Sequence, residues 1–145
     1  MIQSQRFFRL AMPLVLVCLL GSACSHLGPR KHAGGPFVIE EGVRFRFYAP
    51  AARYVQLAGD WPENNWARGD GAAGEANIGL MEDADGDGLW EIVVPLPPGR
   101  YHYLFRVDEN TWHLDPGNPE EVRGGPASRC SQVILVSRNN KLEIR

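Results

Sequence analysis

What this sequence lacks narrows its function before any motif is read. No stretch repeats its apolar residues at the 3.6-residue spacing of an amphipathic helix, so a helical bundle is excluded and β structure is the frame. No basic patch with interleaved aromatics occurs, which speaks against nucleic acid as a partner. Cysteine is scarce: Cys18, Cys24 and Cys130 do not make a disulfide framework. No nucleophile, metal set or paired acid rises above turn chemistry, so neither an enzyme nor a cofactor is expected.

Long apolar runs are nearly absent too. Leu10 to Leu20 is short for a membrane span and is interrupted by Pro13. With Arg6 and Arg9 before it and Gly21-Ser22-Ala23 behind it, residues 1–23 read as an export signal peptide. The small residues ending at Cys24 resemble a bacterial lipobox, although Gly21 stands where Leu is usual. Cys24 is therefore the expected lipidation site. That implies a palmitate-bearing lipoprotein on the cell envelope, on the outer membrane first, facing the periplasm or the exterior. Cleavage after Ala23 without lipidation is the alternative, and it would release a secreted periplasmic protein. Loss of Arg6 and Arg9 takes the net charge from −2 to about −4, which favours solubility and says little about fold. Residues 24–36 carry Gly, Pro and small polar residues around Arg30-Lys31-His32 and read as a flexible tether; residues 37–145 read as the domain. Cys130 precedes an apolar run and is expected as a buried, inert thiol; an unlipidated Cys24 would make a Cys24–Cys130 pair available.

What is present is a period of two. Val43, Phe45 and Phe47 alternate with Arg44, Arg46 and Tyr48. Residues 54–58, 89–96, 101–107, 132–137 and 141–145 read as further strands, with a weaker candidate at 77–82. Short strands separated by Gly, Pro and Asp turns predict an all-β, immunoglobulin-like sandwich. Four tryptophans lie on this background. The alternation places Trp90 in the core, Trp61 is expected to cover the open end of the sandwich, and Trp66 and Trp112 stand in turn-rich contexts. Asp108 and Asp115 are expected to accept turn amides. Asp83, Asp85, Asp87 and Gly88 copy the start of a calcium loop, but Val94 stands where its twelfth-position Glu is required. An Asp/Gly turn is the expected reading, with no metal site; His102 and His113 are isolated.

The order of parts then becomes specific. Ala49-Pro50-Ala51-Ala52 leads to Val55, Leu57, Gly59-Asp60 and a Trp, and Asp87-Gly88 is followed by Trp90. Pro95-Leu96-Pro97-Pro98-Gly99 runs into Tyr101, Tyr103, Phe105 and Val107-Asp108, then Trp112, Asp115-Pro116 and Asn118-Pro119. This pattern, over residues 37–137, resembles the glycogen-binding module, carbohydrate-binding module family 48. Such modules occur in the AMP-activated kinase beta subunit and as the early-set domain at the N-terminus of isoamylase and branching enzymes.

The resemblance implies an early-set sandwich that lays an α-1,4-glucan or maltooligosaccharide across two tryptophans, matched here by Trp66 and Trp112. The apolar C–H faces of glucose stack on indole, and the ring hydroxyls need polar neighbours. Asn64, Asn65, Arg106 and Gln132 are the candidates for that role, with Ser131 or Gln132 at the family's Asn. The family's Lys position holds Leu104, which cannot donate. An exposed Leu would instead suit an apolar contact, so an envelope-protein scaffold that has lost glycan binding is the alternative.

Overall fold

Alternation decides the layering. In the computed structural model, which describes residues 33–68, 77–108 and 111–145, β1 (Phe37–Ile39) and β2 (Gly42–Tyr48) form a hairpin. Strand β2 sends Val43, Phe45 and Phe47 inward, all buried, and leaves its arginines on the other face. The signal peptide, Cys24 and the tether as far as residue 32 lie outside the described residues. Strands β3 (Val55–Gly59) and β4 (Leu89–Val94) follow, then the long β5 (Gly99–Val107). The chain ends through β6 (Thr111–His113), β7 (Glu121–Arg123), β8 (Arg129–Arg138) and β9 (Lys141–Ile144).

Among the described residues the strands form two sheets, and every pairing is antiparallel. The smaller sheet runs β1-β2-β4; the larger runs β3-β5-β8-β7, with β6 beside one end of β5 and β9 beside β8. Their inner faces meet in one core of Phe45, Phe47, Leu57, Tyr103, Phe105, Val133 and Leu135, with Trp61 closing one end. Rings set its geometry: Phe47 lies 4.5 Å from Phe105 and Phe45 meets Tyr103 edge-on at 4.9 Å. Truncating Phe45 to Ala would cost about 3–5 kcal/mol by lost burial and the cavity left behind. The fold is the all-β, immunoglobulin-like sandwich that the alternation predicts.

Residues 77–82 are not a strand. They make two isolated bridges, Leu80 to Gln56 and Glu82 to Glu91, and so tie β3 of one sheet to β4 of the other. Trp61 lies where expected, stacked 6.3 Å from Phe45 and edge-on to Tyr101 at 6.3 Å. Its ring fills the space over Gly59, where any Cβ would collide with it. Trp90 is half-buried at the core's margin and donates its Nε1–H to Ala49 O at 3.0 Å.

Candidate functional site

Strand register builds the first half of the site. Trp112 of β6 pairs with Arg106 of β5, which pairs with Gln56 of β3. Directly opposed residues share a face, and Phe105 points into the core, so these three form a row on the outer face of the larger sheet. Gln56 is 1 % exposed and donates its Nε2–H to Ile78 O at 3.1 Å. Its Oε1 accepts from Arg106 Nε at 2.9 Å and also from Nη2. The guanidinium thus held lies over the Trp112 ring, 5.7 Å from its centroid. Such a contact contributes about 0.5–1 kcal/mol when exposed. Arg106, expected as a sugar contact, is thereby tied to Trp112 and Gln56.

The second half is a loop that leaves β3. Asn64 anchors it: the side-chain Oδ1 accepts from Gly59 N at 2.6 Å and Ala67 N at 2.9 Å, and Nδ2 donates to Leu57 O at 2.8 Å. Asn65, Trp66 and Ala67 then hold φ of 43, 61 and 53°, three successive left-handed residues without a glycine. Each costs about 1–2 kcal/mol, so the rest of the loop must impose the conformation. Trp66 is left half-buried, with its benzo ring against Gly125 in the turn between β7 and β8. The loop that leaves β3 thereby meets the turn between β7 and β8. Ala58, Leu104 and Cys130 point outward by register yet are buried, so this part of the outer face is covered by the chain.

Two sequence expectations are corrected by this placement. Asn64 is 4 % exposed and its side chain is committed to three backbone groups, so it shapes the loop instead of facing a sugar. Ser131 is fully buried, and its Oγ accepts from Asp115 N at 2.9 Å inside the fold. Asn65 remains exposed beside Trp66. Gln132 lies on the outer face, in register with His102 and half-buried. Leu104 is also corrected: at 1 % exposure it offers no apolar contact to a partner. Cys24 lies outside the described residues.

Several other titratable groups among the described residues are tied into the scaffold. Asp60 accepts from His102 N at 3.0 Å and pairs with His102 Nδ1 at 2.6 Å, pinning the loop's start to β5. Asp108 accepts from Arg53 N and Tyr54 N, and Asp115 from Gly117 N, as turn carboxylates do. Asp115 also accepts the Tyr103 hydroxyl at 2.7 Å, and Asn118 donates to that hydroxyl at 2.9 Å. Burial first, then the charge and hydrogen bond of Asp115, hold the Tyr103 phenol far above its ordinary range. Burial likewise raises the Asp115 carboxyl, against the hydrogen bonds of Tyr103 and Gly117. Asp83, Asp85 and Asp87 bring carboxylate oxygens within 4.8 Å of one another. They accept from Gly88 N, Asp87 N and Leu89 N respectively, the bonding of an Asp/Gly turn. Burial, then Asp60, raises the Cys130 thiol, in keeping with an inert side chain.

Two contributors had no signal of their own in the sequence. Gln56 reads as an ordinary strand residue, and Gly125 as one more turn glycine; only the tertiary arrangement sets Gln56 against the arginine that lies over Trp112, and Gly125 against Trp66.

Comparison with known proteins adds a further finding. The family model described as carbohydrate-binding module 48 (isoamylase N-terminal domain) matches residues 27–123. A 1,4-alpha-glucan branching enzyme, GlgB, from Corynebacterium jeikeium is 26 % identical over 103 residues. That match takes in 70 % of this chain but only 13 % of the enzyme. Among solved structures, the maltotriose complex of a PulA variant from Klebsiella pneumoniae superposes with a TM-score of 0.51 at 19 % identity. It covers 70 % of this chain and 11 % of that one. The ligand-free form of the same variant gives a TM-score of 0.50, also at 19 % identity, over 70 % of this chain and 9 % of that one. At that identity the likeness shows the fold alone.

Proposed function

The chain belongs to the carbohydrate-binding module 48 family, and from that membership we propose that it is a non-catalytic module holding α-1,4-glucan or maltooligosaccharide chains. The observation that carries the reading is the presentation of two indoles on a rigid β scaffold. Trp112 is braced by Arg106, and Trp66 is carried on a loop kept in left-handed strain by Asn64. Stacking on an aromatic ring contributes about 1–3 kcal/mol for a flat partner, and two rings suffice for measurable affinity. Of the expected polar contacts, the exposed Asn65 and the half-buried Gln132 remain the candidates for ring hydroxyls. The branching enzyme it resembles acts on 1,4-alpha-glucan, and the PulA variant was solved with maltotriose; both fit the same ligand class. Asp108 and Asp115 being tied to backbone amides supports a binding role over acid–base chemistry. Titration with maltoheptaose or β-cyclodextrin tests it: saturable binding weakened by Trp66→Ala and by Trp112→Ala is expected, and no binding refutes it.

The same reading places the domain at residues 37–145, behind a signal peptide of 1–23 and a tether of 24–36, with lipid on Cys24. Glucan would then be held at the envelope, on the outer membrane. The amino-terminal pattern of charge, apolar run and small residues supports this. Detergent phase partitioning checks it: the wild-type chain is expected in the detergent phase and Cys24→Ala in the aqueous phase. Equal partitioning would remove the anchor. A scaffold contact with an envelope protein drew its support from an exposed Leu104 and does not have that support here.

A further inference from the structure

Trp66 is not held by its own loop alone. The turn between β7 and β8 passes through Gly125, whose φ is +68°. A Cβ built there would lie 2.8 Å from Trp66 Cη2, 3.2 Å from Cζ3 and 3.3 Å from Cζ2. Three neighbouring ring carbons at such similar distances describe an approach over the ring's face. An approach to its rim would leave Cζ2 and Cζ3 distinctly farther than Cη2. The backbone of a turn distant in sequence therefore backs the indole, and only a residue without Cβ allows that closeness.

A left-handed turn by itself accepts Asn as well as Gly. The absence of a side chain at this position answers a second demand, the space taken by the Trp66 ring. Gly124, next to it, faces differently: its Cβ would meet only Cys130 Sγ, at 3.9 Å. Arg106 backs Trp112 from β5 in a comparable way, with its guanidinium over the ring. Each indole is thus backed by a distant part of the fold on one face.

We infer that Gly125 is a positioning residue of the glucan platform: its bare backbone fixes the tilt of Trp66, so the β7–β8 turn sets which ring face meets a sugar. The sugar consequence rests on the function proposed above, whereas the seating of the ring does not.

The two halves separate in one set of experiments on the intact, isotope-labelled chain. In the wild type, the Gly125 Hα protons are expected to carry an upfield ring-current shift that disappears in Trp66→Ala. Gly125→Asn, which keeps the left-handed backbone and adds a Cβ, is expected to move the Trp66 indole N–H resonance, assigned by its loss in Trp66→Phe. The indole resonances of Trp61 and Trp90 are expected to stay in place. The same variant should bind β-cyclodextrin about tenfold more weakly, a loss within the range of one stacking ring. In a Trp66→Ala background it should cost no further affinity. Gly125 Hα shifts indifferent to Trp66→Ala would overturn the inference even if Gly125→Asn failed to fold. So would an equal affinity loss with and without Trp66. A wild-type chain that bound no sugar but showed the ring-current shift would remove the platform reading and leave the seating intact.

Discussion

Tyr103, Asp115 and Asn118 show how single residues serve two purposes in this domain. The Tyr103 ring belongs to the core, while its hydroxyl joins a buried network that fixes the segment after β6. Its raised pKa has a definite sign. The unfolded chain loses this proton near the ordinary value of about 10, and the folded chain keeps it well beyond. Stability from this group is therefore fully present below about pH 10 and is lost as pH rises above it, by about 1.4 kcal/mol per unit. Alkaline unfolding followed by circular dichroism should show this limb in the wild type and a shallower one in Tyr103→Phe. Asn64 makes a second test. Removing its side chain leaves Gly59 N, Ala67 N and Leu57 O without their partner, at a cost of about 2–4 kcal/mol. Asn64→Ala should lower both the melting temperature and glucan affinity, because the loop that presents Trp66 loses its anchor. Unchanged stability would show that the three bonds carry no weight.

At the scale of elements, β5 is the organiser. It pairs with β3, β6 and β8, lines the core with its odd residues and builds the outer face with its even ones. The alternation of β2 and β5 was legible in the sequence because each strand has one wet and one dry face. Strands β6 and β7 were not legible, since three residues are too few to show a period. Residues 77–82 misled for a related reason: apolar residues that bridge two sheets look like a strand of one. Leu104 is the instructive case. Alternation gave its direction correctly, but its burial depends on chain packed over the outer face, which no local pattern reports. Leu104→Lys, which restores the family's residue type, should therefore cost at least about 2 kcal/mol of stability by burying a charge, instead of improving glucan affinity. A variant as stable as wild type, with tighter binding, would show this face to be open.

At the scale of the molecule, two antiparallel sheets provide the scaffold: the outer face of the larger one carries the support of Trp112, and the turn between β7 and β8 carries that of Trp66. The order of motifs from Ala49 to Pro119 was enough to indicate the family, because turn glycines, prolines and alternating aromatics record the fold directly. Of the candidate site as now drawn, the two indoles, Asn65, Arg106 and Gln132 could be named from the sequence. Asn64 and Ser131 are of the right chemical type for sugar contacts, and only the folded chain shows their polar atoms turned to the backbone. Gln56, Arg106 and Gly125 support the rings through contacts spanning distant parts of the sequence. The measurement that bears most directly on the central claim is titration of the chain with maltoheptaose, followed by tryptophan fluorescence. A saturable change is expected, with affinity reduced about tenfold or more in Trp66→Ala and again in Trp112→Ala. A flat response, or binding indifferent to both substitutions, would contradict it.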